Sequence, residues 1–152
     1  MVLAIGVVAE NVARAAAALP AAGAWDAAPT ELFCAGAEYV TLYITYTRGG
    51  AGGSVRLRLE ASPHSVDRAV VEDWFLPTIK QVGAFAAGAD VNSGEQRENG
   101  VLYTATAAAA EMFAYGPVHI QAAERIRVRA QEVGAAGTPG TLHIIAMLGA
   151  TP

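Results

Sequence analysis

The chain has 152 residues, of which 53% are hydrophobic and 16% charged, and its formal net charge is −4 at pH 7. This length fits one domain, which can bury a core without disulfides or metals. The negative charge argues against nucleic acid as a direct partner, because phosphate binding requires a clustered positive surface.

The charged content is well below the roughly 25% of ordinary soluble domains. Such a surface is typical of a protein that partners cover. It also fits a genome rich in Ala, Gly, Val and Arg codons, since Lys80 is the one lysine among ten basic residues. Both explanations stay open.

Neither the single cysteine nor the N-terminus indicates export or a membrane. Cys34 lies in an apolar run, which predicts a buried small side chain rather than a nucleophile. The N-terminal run lacks a basic start and is interrupted by Glu10 and Arg14, so we predict no signal peptide. No run reaches the roughly 18 apolar residues of a membrane span, and we expect no membrane partner.

The first elements along the chain are weakly patterned. Residues 1–18 are predicted to be an N-terminal arm or an edge strand, and residues 19–152 the main domain. Alanine propensity also predicts a short helix over 13–19, ended by Pro20. A short strand follows at 31–35.

The clearest pattern spans residues 38–63. Two runs of alternating apolar and polar residues flank the glycine-rich loop 49–54, which is typical of a β-hairpin with a flexible tip. The outward residues of the two runs would share one face, so that Tyr43 and Thr45 lie beside Arg56 and Arg58.

The second half of the chain repeats this organisation. Residues 74–77 are predicted to be extended, 90–100 a polar surface loop, and 101–106 a strand that continues towards 115 as strand or helical turn. A second hairpin is predicted from 123–133 and 141–148, the latter run being apolar on both faces. The fold class predicted is all-β: a single-domain antiparallel β-sandwich or jelly roll of about seven or eight strands with an extended N-terminal segment.

No motif for catalysis or cofactor binding is recognisable. His64, His119 and His143 stand far apart in the sequence, the polar loop does not match a calcium-binding loop, and the glycine-rich loop precedes a strand instead of a helix. We therefore predict a protein that is not an enzyme, with no metal and no cofactor.

Arginines form two outward stripes. A face solvated and paired with Glu60 and Glu124 is one interpretation, and an interface to an acidic partner is the other. The residues predicted to contact a partner are Arg48, Gly49, Gly50, Arg56, Arg58, Arg125, Arg127 and Arg129.

Four segments carry a family resemblance: ALPAAGAWDAAPTELF, VTLYITYTRGGAGGSVRLRLEASP, ENGVLYTATAAAAEMFAYGPV and AERIRVRAQEVGAAGTPGTLHIIAML. In their order they resemble small β-sandwich structural proteins of tailed bacteriophage virions, over most of the chain from about residue 19. The resemblance implies a non-enzymatic head decoration (cement) protein, with tail or neck components as the other roles of such proteins. The N-terminal arm would then strap onto a neighbouring subunit.

The resemblance also implies partners and a location. The expected partners are the major capsid protein or other virion proteins, together with further copies of the chain in a homo-oligomer such as a trimer. The expected location is the capsid surface, after synthesis in the host cytoplasm. The alternatives are a carbohydrate-binding β-sandwich module that stacks sugars on aromatic side chains and a cupin-like enzyme.

Overall fold

The computed structural model describes residues 6–21, 23–34, 36–50, 53–66, 74–75, 77, 101–120, 122–134 and 138–150. These residues form eight β-strands and no helix. The polar loop predicted at 90–100 lies outside the described residues. The strands are β1 Gly6–Ala18, β2 Glu31–Phe33, β3 Tyr39–Thr47, β4 Ser54–Ser62, β5 Val101–Thr104, β6 Glu111–His119, β7 Arg125–Val133 and β8 Thr141–Ala150.

The strands make two four-stranded antiparallel sheets. The first sheet has the order β1-β8-β3-β6 and the second the order β2-β7-β4-β5. The pairs β1·β8, β2·β7, β3·β6 and β4·β5 are nested in the sequence, as in a long hairpin rolled over itself. This is the strand order of a jelly roll, and it confirms the predicted fold class.

Both predicted hairpins are wrong. Strand β3 pairs with β6 and β8, whereas β4 pairs with β5 and β7, so the glycine-rich connection crosses from one sheet to the other. The strands β7 and β8 are likewise in different sheets. Alternation shows which side of a strand is buried, but it carries no information about which strand lies beside it.

The helix predicted over 13–19 is also wrong. Residues 6–18 form strand β1, which pairs along β8 at the edge of the first sheet with three register irregularities. A long pairing with a neighbouring strand outweighs the modest helix propensity of alanine. The segment proposed as a strap adds its strand to its own chain.

The core lies between the sheets and is built from alternate residues of the long strands. Val40, Leu42, Ile44 and Tyr46 of β3 have no exposed surface. The same alternation continues in β4, β7 and β8, where the buried positions include Val55, Leu57, Ile126, Val128, Leu142 and Ile144. Burial of each aliphatic side chain contributes about 1.5 to 3 kcal/mol.

Cys34 is buried, as predicted. Burial raises the pKa of its thiol to about 12, although a backbone hydrogen bond from Ile126 opposes the shift. The thiolate is the reactive form of cysteine, so this side chain acts as a small apolar group.

In the described part of the chain, there is no helix long and apolar enough to cross a membrane.

Candidate functional site

Five of the residues predicted to contact a partner lie on the outer face of the second sheet. Arg56 and Arg58 of β4 stand opposite Gln131 and Arg129 of β7, and Arg127 stands opposite Glu60. Arg125 is the first residue of β7 and stands opposite Ser62. We call the group Arg58, Glu60, Arg125, Arg127 and Arg129 the arginine layer.

The other three predicted residues do not join this face. Arg48, Gly49 and Gly50 lie in the connection between β3 and β4. A Cβ atom on Gly49 would lie 2.2 Å from the backbone oxygen of Thr138 and 2.4 Å from that of Pro139. Gly49 is therefore packed against the connection between β7 and β8, which does not fit the flexible tip expected here.

Glu60 is the centre of the arginine layer. Its carboxylate accepts hydrogen bonds from Arg127 and from the Nε of Arg129 at 3.2 Å, and it pairs with Arg58 at 2.6 Å. Burial raises the pKa of Glu60, but the Arg127 hydrogen bond and the positive charges of all three arginines outweigh it, so the pKa lies below its ordinary value. Glu60 is consequently charged at neutral pH.

Arg125 is the most buried member of the layer. Its guanidinium pairs with Glu31 of β2 and donates from Nε to the backbone oxygen of His64 at 2.7 Å. These contacts tie β7 to β2 on one side and to the segment after β4 on the other. Arg125 therefore cross-links three parts of the chain.

Two tryptophans cover the arginine layer from opposite edges. The Trp25 segment bridges to β7, and Arg58 lies 4.9 Å from the Trp25 ring centroid. Trp74 lies over both Arg127, at 3.8 Å, and Arg125, at 4.9 Å. Each such cation–π contact contributes about 0.5 to 2 kcal/mol, so both indole rings help to hold the guanidinium groups in place.

Among the described side chains, the arginine layer and its partner Glu31 together retain an excess of positive charge. Four arginines, at 58, 125, 127 and 129, pair with two carboxylates, Glu31 and Glu60, which leaves two positive charges among these six side chains. The side chains of Arg58 and Arg129 keep 26% and 21% of their surface exposed. Their partner contacts stay a prediction, and these exposed portions are where such contacts could form.

A second cluster closes the end of the sandwich where β3 and β7 finish. The hydroxyl of Tyr46 donates to Glu132 Oε1 at 2.8 Å, and the backbone N–H of Gly140 donates to Glu132 Oε2 at 3.0 Å. All three residues are buried. A buried carboxylate needs such donors, and here they join both sheets through one side chain.

The outer face of the first sheet is chemically different. In the described strands β3, β6 and β8, no outward position holds Asp, Glu, Lys or Arg. The outward residues of β3 are tyrosine and threonine, and those of β8 include His143, Ile145 and Met147. We call this surface of β3, β6 and β8, together with Val12 of β1, the uncharged face. Strand β1 lies at its edge and also holds Glu10, whose backbone pairs with that of Met147.

Strand register arranges the uncharged face into rows. Val12, Ile145, Tyr43 and Ala114 follow one another across the four strands. The neighbouring row contains His143, Thr45 and Met112. Val12, Tyr43 and Met112 expose 50%, 45% and 73% of their surface. Ile145 lies between Val12 and Tyr43, and Met112 is diagonal to Tyr43, so these side chains form a continuous band across the sheet.

The interpretation that Tyr43 and Thr45 share a wet face with Arg56 and Arg58 is therefore wrong. The two pairs lie on opposite outer faces of the molecule, because β3 and β4 are in different sheets. The signal for the uncharged face was present in the sequence, since β8 is apolar on both sides and β3 alternates without a charge. The missing information was that β3, β6 and β8 are neighbours.

Glu111 makes the other ordered polar contacts of note. It accepts hydrogen bonds from Tyr103 at 2.6 Å and from Thr106 and Ala107 in the turn that precedes β6. The hydrogen bond from Tyr103, followed by that from Thr106, lowers the pKa of Glu111 to about 2. The carboxylate orders a turn.

Within the described ranges, no group of three or more His, Cys, Asp or Glu residues could hold a metal ion. Comparisons of the chain with protein-family models, curated proteins and solved structures found no match.

Proposed function

We propose that the chain is a non-enzymatic structural protein of a tailed-phage virion, and that it serves as a decoration or cement protein on the head. It would contact the major capsid protein or another virion protein and assemble with further copies of itself. The observation that carries the proposal is a jelly roll with two outer faces of contrasting charge. Jelly rolls occur in viral capsid proteins, as well as in lectins and cupins. The fold alone therefore does not distinguish these functions, and the side chains of the two outer faces are needed to separate them.

The arginine layer supports an acidic partner surface. The two positive charges that remain after pairing with Glu31 and Glu60 lie on side chains already held in place by Glu60, Trp25 and Trp74. Arginine's planar fork binds carboxylates in pairs of hydrogen bonds, and a fixed guanidinium loses little entropy on binding. The exposed portions of Arg58 and Arg129 are suited to carboxylates of a capsid subunit.

The aromatic residues favour a structural protein over a carbohydrate-binding module. A sugar platform needs several exposed rings in one plane. Trp25 and Trp74 instead stack on arginines, and Tyr103 stacks on Phe113 with ring centroids 3.9 Å apart. These rings are engaged within the chain.

A decoration protein binds the assembled lattice and thereby stabilises it by mass action. The test is density-gradient separation of lysates from the organism that encodes the chain, with an antibody against it. We expect the chain in fractions that hold assembled heads, and immunogold electron microscopy should place it on their outer surface. Its presence only in free-protein fractions, while heads are abundant, would overturn the proposal.

A further inference from the structure

We propose that the uncharged face is the contact between two copies of this chain, which pack sheet against sheet about a two-fold axis. The inference deepens the proposed function, on whose oligomeric contacts it rests, by naming the surface and the partner. The proposed contact between two copies does not involve the arginine layer, which stays available to a different partner.

The two sheets of this molecule provide an internal comparison. The outer face of the second sheet carries arginines on β4 and β7 and Glu60 on β4, as an ion-paired surface does. In the first sheet, β3, β6 and β8 are of similar length to β4 and β7, yet they place no Asp, Glu, Lys or Arg on their outer side within the described ranges. Glu10 belongs to β1, at the edge of this sheet. Contiguous exposed apolar side chains of this kind mark interaction surfaces.

The chemistry of the face favours a second copy as its occupant. A partner with charged residues would bury them without counter-charges, which costs several kcal/mol for each ion. Threonine and tyrosine hydroxyls both donate and accept hydrogen bonds, so a face rich in them can pair with itself. In a two-fold contact, the same patch of each copy meets that of the other, so the contact requires only that the patch be complementary to itself.

The dimensions of the face also fit. The three strands β3, β6 and β8 at about 4.8 Å spacing are about 14 Å wide, and nine residues of β3 at about 3.3 Å each are about 30 Å long. The projected area is about 430 Å² for each copy, or about 860 Å² for two. Protruding side chains increase the accessible area beyond this, towards the roughly 1,200 Å² at which specific interfaces begin. Stacked sheets pack about 10 Å apart at about 30°.

The test is the solution mass of the full chain at about 100 µM, measured by sedimentation equilibrium. We expect about 31 kDa, twice the 15.6 kDa of one chain. Tyr43→Glu changes the centre of the face, and Met112→Lys changes its most exposed apolar residue, where a lysine cannot disturb the core. Each should raise the dissociation constant at least about 100-fold, because it buries an unpaired charge in the contact.

The matched control is Phe33→Lys. Phe33 is 67% exposed and lies on β2 in the second sheet, so this variant should remain a dimer. A monomeric wild-type chain, a trimer, or a dimer that Phe33→Lys dissociates and Met112→Lys does not would each overturn the inference. A dimer through the uncharged face that is absent from heads would refute the proposed function and leave the contact intact.

Discussion

At the scale of single residues, Glu60 determines how the outer side of the second sheet responds to pH. Its pKa in the folded state lies below the ordinary 4.5, because the Arg127 hydrogen bond and three positive charges outweigh burial. A depressed pKa contributes stability that is complete above the unfolded pKa and is lost as the pH falls through the folded value. Glu60 therefore stabilises the fold at neutral pH and ceases to do so in acid.

Glu60→Gln tests this role. The glutamine keeps the shape of the side chain but leaves three arginines without their shared carboxylate, and removal of one partner from a buried ion pair costs about 3 kcal/mol or more. We expect this loss in the free energy of unfolding at pH 7, measured with urea. The difference from the wild type should narrow as the pH falls below the ordinary pKa of 4.5 and through the lower pKa of the folded state, because the wild-type carboxylate then becomes protonated.

Glu124→Gln is the control for Glu60→Gln, since Glu124 is exposed and an exposed substitution changes stability by less than about 0.5 kcal/mol. Equal losses in the two variants would contradict a special role of Glu60. So would a Glu60→Gln deficit that stays constant from pH 7 to about pH 3.

The sequence predicted some of these residue positions and missed their connections. Alternation placed Arg56, Arg58, Arg125, Arg127 and Arg129 outward. The structure confirms this side of the sheet for all five, but the side chain of Arg125 is buried there. From the sequence, Glu60 was expected to be only one of the counter-charges on a solvated face, and its central position among the arginines was not predicted. Arg127 and Glu60 are 67 residues apart in the chain, and their contact exists only because β4 lies beside β7.

At the scale of elements, the connections between strands fasten the two sheets together. The β3–β4 connection packs at Gly49 against the backbone of Thr138 and Pro139, which belong to the β7–β8 connection. Nearby, Gly140 lies so close to Tyr46 that a Cβ atom would be 2.5 Å from its ring. Glycine is needed at both places because backbone or ring occupies the volume of a side chain.

Gly49→Ala tests the contact between the connections. The added methyl group would overlap two backbone oxygens, which cannot rotate away as a side chain can, and overpacking of this kind costs about 3 kcal/mol. Thermal unfolding of the variant, followed by circular dichroism, should show a correspondingly lower midpoint.

Gly23→Ala supplies the comparison for Gly49→Ala. Gly23 has a φ of +86°, and no atom lies within 4 Å of the position that a Cβ would occupy, so alanine would bear only the backbone strain of about 1 kcal/mol. If Gly49→Ala were no more destabilising than Gly23→Ala, the connections would not be in close contact.

Elements were predicted better than their arrangement. The runs that became β3, β4, β7 and β8 were all expected to be strands, because period-two alternation is a local property of the sequence. Their pairing was wrong, since a glycine-rich connection can close a hairpin or cross between sheets. The energy that decides between the two comes from burying both inner faces in one core.

At the scale of the whole molecule, the two outer faces have opposite physical character. In the proposed assembly, the arginine layer would contact a partner through charge, whereas the uncharged face would contact a second copy through apolar contact and hydrogen bonds. A protein with two such faces can bind its own copy on one side and a different surface on the other. Added salt should weaken the charged contact, because it screens charges, and should leave the apolar contact unchanged or slightly stronger.

When the NaCl concentration rises from about 0.1 M to about 1 M, the Debye length falls from about 10 Å to about 3 Å. The dissociation constant of the dimer should change by less than about twofold, since its interface holds no Asp, Glu, Lys or Arg in the described strands β3, β6 and β8. Binding to assembled heads should weaken by about tenfold or more, as expected for arginine–carboxylate contacts. Sedimentation equilibrium measures the first quantity and co-sedimentation with heads the second. A dimer that dissociates as salt rises would show that charges, and not the uncharged face, hold the copies together.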